Sequence, residues 1–140
     1  MRVKNSNMQT EINSKNLSKA LEKHPFINDD FDLNVWLSSN NIVIQDGENY
    51  ALFENTRDGV YEGHYLFQDA RGKRAITLAN KIINYFFTTF DVKVLIGKVP
   101  LQQRGARWLT RQLGFKSLGA IETIDGDCEL FLLTTLDRRP

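Results

Sequence analysis

Between Asn41 and Gln68 the chain reads NIVIQDGENYALFENTRDGVYEGHYLFQ, three β-rich runs parted by Asp46-Gly47 and Asp58-Gly59. Asp-Gly between apolar runs is a strong hairpin signal, because glycine takes positive φ without strain. The stretch predicts an antiparallel three-strand meander. Its last run, from Val60 to Phe67, alternates Glu62, His64 and Leu66 on one face with Tyr61, Tyr65 and Phe67 on the other. The period then changes. Ala75, Leu78, Ala79, Ile82, Ile83 and Phe86 recur at helical spacing, opposite a polar stripe of Thr77, Asn80, Lys81, Asn84 and Thr88. A meander that passes straight into an amphipathic helix must bury that helix on the sheet, which places the chain among mixed α/β folds.

The rest of the sequence fits that frame. VKVLIGKV reads as a buried strand, and LQQRGARWLTRQLG as a helix with Leu101, Ala106, Leu109 and Leu113 inward. Arg104, Arg107 and Arg111 fall on its outer side as a solvated face, and Gly114 suits a left-handed helix C-cap. FKSLGAIETIDGDCELFLLTTL closes as another Asp-Gly hairpin. Upstream, Asn13 or Ser14 caps a short helix reaching Lys23, with Leu17, Ala20 and Leu21 on one face and Pro25 beyond its end. NDDFDLNVWLSS predicts a second helix, with capping oxygens from Asn28 to Asp30 and an apolar side of Phe31, Val35, Trp36 and Leu37. Residues 1–12 lack periodicity and read as a flexible lead, leaving 13–140 as one domain. The expected class is mixed α/β, with a mostly antiparallel central sheet flanked by helices.

Composition removes several functions. The 140 residues suffice for one core without staples, and the net charge of +1 rules out a molecule held to nucleic acid by charge overall. The single cysteine, Cys128, excludes an internal disulfide, and with only His24 and His64 besides, a structural zinc site is not expected. Cys128 stands between Asp127 and Glu129, where a thiolate is disfavoured. No run approaches the ~20 apolar residues that span a bilayer, and the polar opening residues are no secretory signal. The default is a cytoplasmic protein. Trp36 and Trp108 read as core or rim packing, and Phe86, Phe87 and Phe90 as core.

One junction stands out. FQDARGKRAITLANKIINYFF sets Gly72 among Arg71, Lys73 and Arg74 where the long helix begins. A helix start exposes unpaired N–H groups and about half a positive charge. Amides from Ala70 to Ala75 can therefore cradle an anion, with Gly72 allowing close approach. The alternative is a plain strand-to-helix turn with solvated cations. From Gln68 to Lys116 cations far outnumber acids, but no aromatic interleaving supports a nucleic-acid surface.

The element order, together with QDARGKRAITLANKIINYFF and IGKVPLQQRGARWLTRQLGF, resembles the GNAT superfamily of acetyl-coenzyme A-dependent acyltransferases. The first segment is similar to that family's pyrophosphate loop and helix. The second is similar to its next strand, next helix and closing Leu-Gly-Phe. The likeness covers roughly residues 41 to 136 and is closest to short GNAT-like proteins encoded by bacteriophages. It implies acetyl-coenzyme A as co-substrate, an amine or protein acceptor, and a pyrophosphate held by Ala70, Arg71, Gly72, Lys73, Arg74 and Ala75. The family's Gln/Arg-x-x-Gly-x-Gly/Ala pattern reads Asp69, Gly72 and Arg74 here, a departure at both ends. The family's base lies on the strand before the loop, which implies His64 with Glu62 orienting or replacing it. Its acid, commonly a tyrosine on the later helix, falls at Thr110, and Gln103 takes a position usually held by asparagine. A threonine hydroxyl is a much poorer acid than a phenol. Two functions follow from the resemblance: an N-acetyltransferase acting on a primary amine, or an inactive GNAT-fold phage protein serving virion assembly or a host interaction.

Overall fold

A computed structural model describes residues 8–9, 14–22 and 32–138. The expected capping and stop residues Asn13, Asn28 to Asp30 and Pro25, the expected helix end Lys23 and the apolar Phe31 lie outside the described residues.

The meander forms as its turns demand. Strands β2 (Ile42–Asp46), β3 (Asn49–Arg57) and β4 (Val60–Leu66) pair antiparallel in sequence order. Gly47 and Gly59 sit at φ of 63° and 75°, where a side chain would be strained. Before them, β1 (Met8–Gln9) pairs with β2, so the lead read as aperiodic contributes a two-residue strand. Helix α3 (Gly72–Thr89) follows β4, then β5 (Val94–Pro100), helix α4 (Arg104–Gln112), and the hairpin of β6 (Lys116–Thr123) and β7 (Gly126–Thr134). The strands lie in the order β1-β2-β3-β4-β5-β7-β6, and only β4 and β5 run parallel. The expected class, a mixed α/β fold with a mostly antiparallel sheet, is what the chain adopts.

Each face of the sheet has its own core. The buried stripe of α3, Ala75, Ala79, Ile82, Ile83 and Phe86, packs with Phe53, Leu95 and Phe131 and with Leu109 and Leu113 of α4's end of the chain. Phe86 is fully buried and stacks on Phe53 at 3.8 Å between ring centroids. On the other face, helix α1 (Ser14–Leu21) sets Leu17, Ala20 and Leu21 against Val43, Tyr50, Leu52 and Leu66. Helix α2 (Leu33–Leu37) adds Leu33, Trp36 and Leu37. Two details correct the sequence reading of α2. Its N-cap is Asp32, whose carboxylate accepts from the amides of Asn34 and Val35. Val35, expected on the apolar side, is 60% exposed.

The outer face assigned to α4 also needs correcting. Arg104 is exposed, but Arg107 and Arg111 close onto Glu129 of β7, a carboxylate only 4% exposed. Arg107 donates from Nε at 2.8 Å and also reaches the Leu101 carbonyl at 3.0 Å. Ser117 donates to the same carboxylate, and the Arg111 guanidinium lies over the Phe131 ring at 5.5 Å. Cys128 is buried. Among the described residues, no helix is long and apolar enough to cross a membrane, and no cluster of His, Cys, Asp or Glu could hold a metal ion.

Candidate active site

β4 and β5 stay together for only three pairs, Val60 with Val94, Tyr61 with Leu95, and Glu62 with Ile96. The next residue on each strand is glycine, Gly63 and Gly97. A Cβ at Gly63 would come within 3.2 Å of Leu95, while one at Gly97 would make only ordinary contact, with Phe131 at 3.7 Å and Thr110 at 3.9 Å. Bare backbone therefore stands on both strands where their pairing ends. Beyond this fork they enclose a cleft of about 380 Å³, within the usual range for ligand pockets. His64, Lys98, Thr110, Gln103, Arg71 and Gly72 all line it.

At one end stands the β4–α3 turn. Gly72 holds φ of 57° and an added Cβ would meet nothing within 4 Å, so packing does not demand the glycine. The N-cap, Arg71, makes no side-chain capping bond. The Arg74 and Ala75 amides already bond to the Arg71 carbonyl, at 3.2 and 3.4 Å. Among the described residues, the amides of Ala70, Arg71, Gly72 and Lys73 meet no acceptor. Ala70 and Ala75 are buried walls of the cleft, and Arg71 is exposed beside it.

The two departures from the family pattern point elsewhere. Asp69 and Arg74, with Lys73, line a separate groove of about 460 Å³ on the outer side of the turn, beside Asp46 and Lys81. Asn49, 7% exposed at the start of β3, is the reason for Asp69. Its Nδ2 donates to the Asp69 carboxylate at 2.8 Å, and its Oδ1 accepts the amides of Gln68 and Asp69 at 2.8 and 3.3 Å. One side chain thus ties the turn to the first hairpin and draws its acid out of the cleft.

At the fork, Glu62 lies between His64 and Lys98. Its carboxylate lies 3.3 Å from His64 Nε2 and 3.1 Å from Lys98 Nζ. The hydrogen bond from His64 holds the Glu62 carboxyl below its usual range; burial opposes this, and Lys98 adds to it. Thr110 is 2% exposed and its hydroxyl donates to the Ala106 carbonyl at 2.7 Å. Its proton is committed within α4. Tyr65, on the opposite face of β4 from His64, also lines the cleft, and burial pushes its phenol well above the usual range. Gln103 caps α4 without using its side chain for the cap.

The sequence does not single out Lys98 or Asn49. Lys98 becomes visible only once Glu62 is in register with Ile96, because two further steps along each strand bring His64 and Lys98 to the cleft. Asn49 looks like ordinary turn chemistry beside Asp46-Gly47. Trp108, expected as core or rim packing, is 45% exposed on the cleft wall.

A strand pair that splays beside a glycine turn, within this element order, is the fold of the GNAT acetyltransferases, as solved structures show. The chain is similar to the aminoglycoside acetyltransferase AAC(6')-Ib determined with coenzyme A, at 17% identity and a TM-score of 0.62, covering 74% of this chain and 72% of that one. It is similar to AAC(6')-Ib11 at 12% identity and a TM-score of 0.69, over 95% of this chain and 98% of that one. A variant of the spermidine N-acetyltransferase SpeG from Vibrio cholerae matches at 19% identity and a TM-score of 0.58, over 72% and 69%. No protein-family model matches the sequence, and no curated protein matches it either.

Proposed function

We propose that this chain is an N-acetyltransferase that moves an acetyl group from acetyl-coenzyme A to a primary amine. The observation that carries it is the fork at Gly63 and Gly97, which opens one cleft from the Gly72 turn to the Glu62, His64 and Lys98 group. The cradle suits the coenzyme: unpaired amides, a glycine with open space beyond it, and no acid facing inward. Bound there, acetyl-coenzyme A would supply an acetyl thioester. The Gly72 and Lys73 amides hold the diphosphate, Arg71 adds charge beside it, and the Gln103 amide group serves the arm. His64 takes the proton lost by the attacking amine, and Glu62 orients its ring. Glu62 itself is a weak base, because the neighbours that lower its pKa stabilise its charged form. Thr110 is not the acid, and solvent in the cleft supplies that proton.

A second reading is favoured by one observation, the commitment of the Thr110 hydroxyl to Ala106. In it the protein keeps the GNAT fold without catalysis and binds a phage or host protein. Isothermal titration with acetyl-coenzyme A, followed by thiol release with polyamines, aminoglycosides and peptide amines, separates the two. Binding with turnover supports the transferase. Binding without turnover on any amine supports the second reading. No heat and no thermal shift at roughly millimolar ligand, far above the affinities such clefts reach, overturns the coenzyme reading.

A further inference from the structure

We propose that Trp108 is a stacking platform for the adenine ring of the coenzyme, an assignment that rests on the acetyl-coenzyme A reading above. β4 and β5 run parallel, so the turn after β4 and the start of α4 after β5 lie at the same end of the cleft. A diphosphate held at Gly72 sends its acyl arm inward to His64. Whatever is attached on its other side must leave through this end, past the first turns of α4. In coenzyme A that group is adenosine.

Trp108 is built to receive it. The residue lies on the cleft wall and keeps 45% of its surface exposed, although an indole is among the costliest side chains to leave wet. Among the described residues it stacks on no other ring and its N–H finds no acceptor. One turn earlier on the same flank is Gly105, which also lines the cleft. A Cβ there would meet nothing within 4 Å. Gly105 stands in the first turn of α4, and no packing contact explains a glycine there. What it leaves is an open shelf beside the indole, the shape a flat base needs. Thr110, two residues on, faces Gly97 at the fork instead.

The test uses the full chain and three probes: acetyl-coenzyme A, S-acetyl-4'-phosphopantetheine, which lacks adenylate, and adenosine 3',5'-bisphosphate, which lacks the arm. Trp108→Ala and Trp108→Tyr are compared with the parent by calorimetry and tryptophan emission. Circular dichroism checks folding, and Trp36, half-buried against the core on the other sheet face, supplies a constant background. Base-on-aromatic stacking predicts that Trp108→Ala raises the Kd for acetyl-coenzyme A roughly tenfold, while Trp108→Tyr stays within about twofold. The pantetheine probe should bind all three proteins alike, and the bisphosphate should quench emission in the parent but not in Trp108→Ala. Equal weakening of both acyl probes, or no weakening of either, overturns the assignment. No heat from acetyl-coenzyme A with the parent protein fails at the earlier step, refuting the coenzyme reading and this assignment with it.

Discussion

Gly72 and Thr110 mark the two ends of the proposed chemistry, and each permits a sharp substitution. At Gly72 the backbone is left-handed and the space beyond is empty, so two replacements separate strain from charge. Asparagine tolerates that conformation, whereas glutamate puts bulk and a negative charge where the diphosphate should lie. Gly72→Asn should keep measurable acetyl-coenzyme A binding, and Gly72→Glu should abolish it in a calorimetric titration while the far-ultraviolet spectrum stays native. Binding that survives the glutamate puts the anion site elsewhere. At Thr110 the hydroxyl proton goes to Ala106, so Thr110→Val removes a helix bond rather than an acid. A lost general acid would slow turnover on the order of 10²–10⁴-fold. The expected change in thiol release is instead about twofold or less, with a stability loss of about 1 kcal/mol in urea unfolding.

The elements around the cleft are held by contacts that the sequence does not advertise. The hairpins at Asp46-Gly47 and Asp58-Gly59 and the 3.6-residue stripe of α3 are local, and their residues announce them. Asn49 meets Asp69 twenty positions away, and Arg107 meets Glu129 twenty-two away. Neither pair can be seen until β3 and β7 have found their neighbours, and so Arg107 and Arg111 looked like a solvated face. Asn49→Ala should free the β4–α3 turn and leave the Asp69 carboxylate able to swing toward the diphosphate. The expected result is a Kd for acetyl-coenzyme A raised by about tenfold, with stability lowered by about 1–2 kcal/mol. A change in stability alone would reduce Asn49 to a scaffold residue. Glu129 makes a prediction in pH. Burial pushes its carboxyl up, but Ser117, Arg107 and Arg111 together outweigh that and hold it below the ordinary carboxylate range. A depressed folded-state pKa gives stability that is full above the ordinary carboxylate range and lost as pH falls through the folded value. Glu129→Gln should therefore be less stable than the parent at pH 7 by about 1–3 kcal/mol. The gap should narrow progressively below about pH 4.5, toward the parent's acid transition. A gap that stays constant across that range would mean the carboxylate's charge contributes nothing.

Across the whole molecule the sheet is two halves, β1 to β4 and β5 to β7, joined through three parallel pairs and a shared core under α3 and α4. The class and the order of elements along the chain are legible because the period switches from two to 3.6 at Gly72. The splay is not, because it arises where Gly63 and Gly97 fall at the same level, and that needs the β4–β5 register. The fork also has a dynamic consequence. Past Glu62, alternate amides of Gly63 to Phe67 that point away from β3 have no strand beside them. They should exchange hydrogen quickly in the ligand-free protein, as exposed edge amides do. A coenzyme arm laid along β4 would cover them, and saturation at about 100 times Kd stabilises the folded state by about 2.7 kcal/mol in all. Exchange read by mass spectrometry should thus show slowing concentrated at 63–67 and 70–74 when acetyl-coenzyme A is added. The first hairpin, already paired, should change little beyond the global gain. If slowing centres instead on the outer groove near Asp46 and Lys81, the ligand lies on the far side of the turn, and the fork is only a gap between two half-sheets.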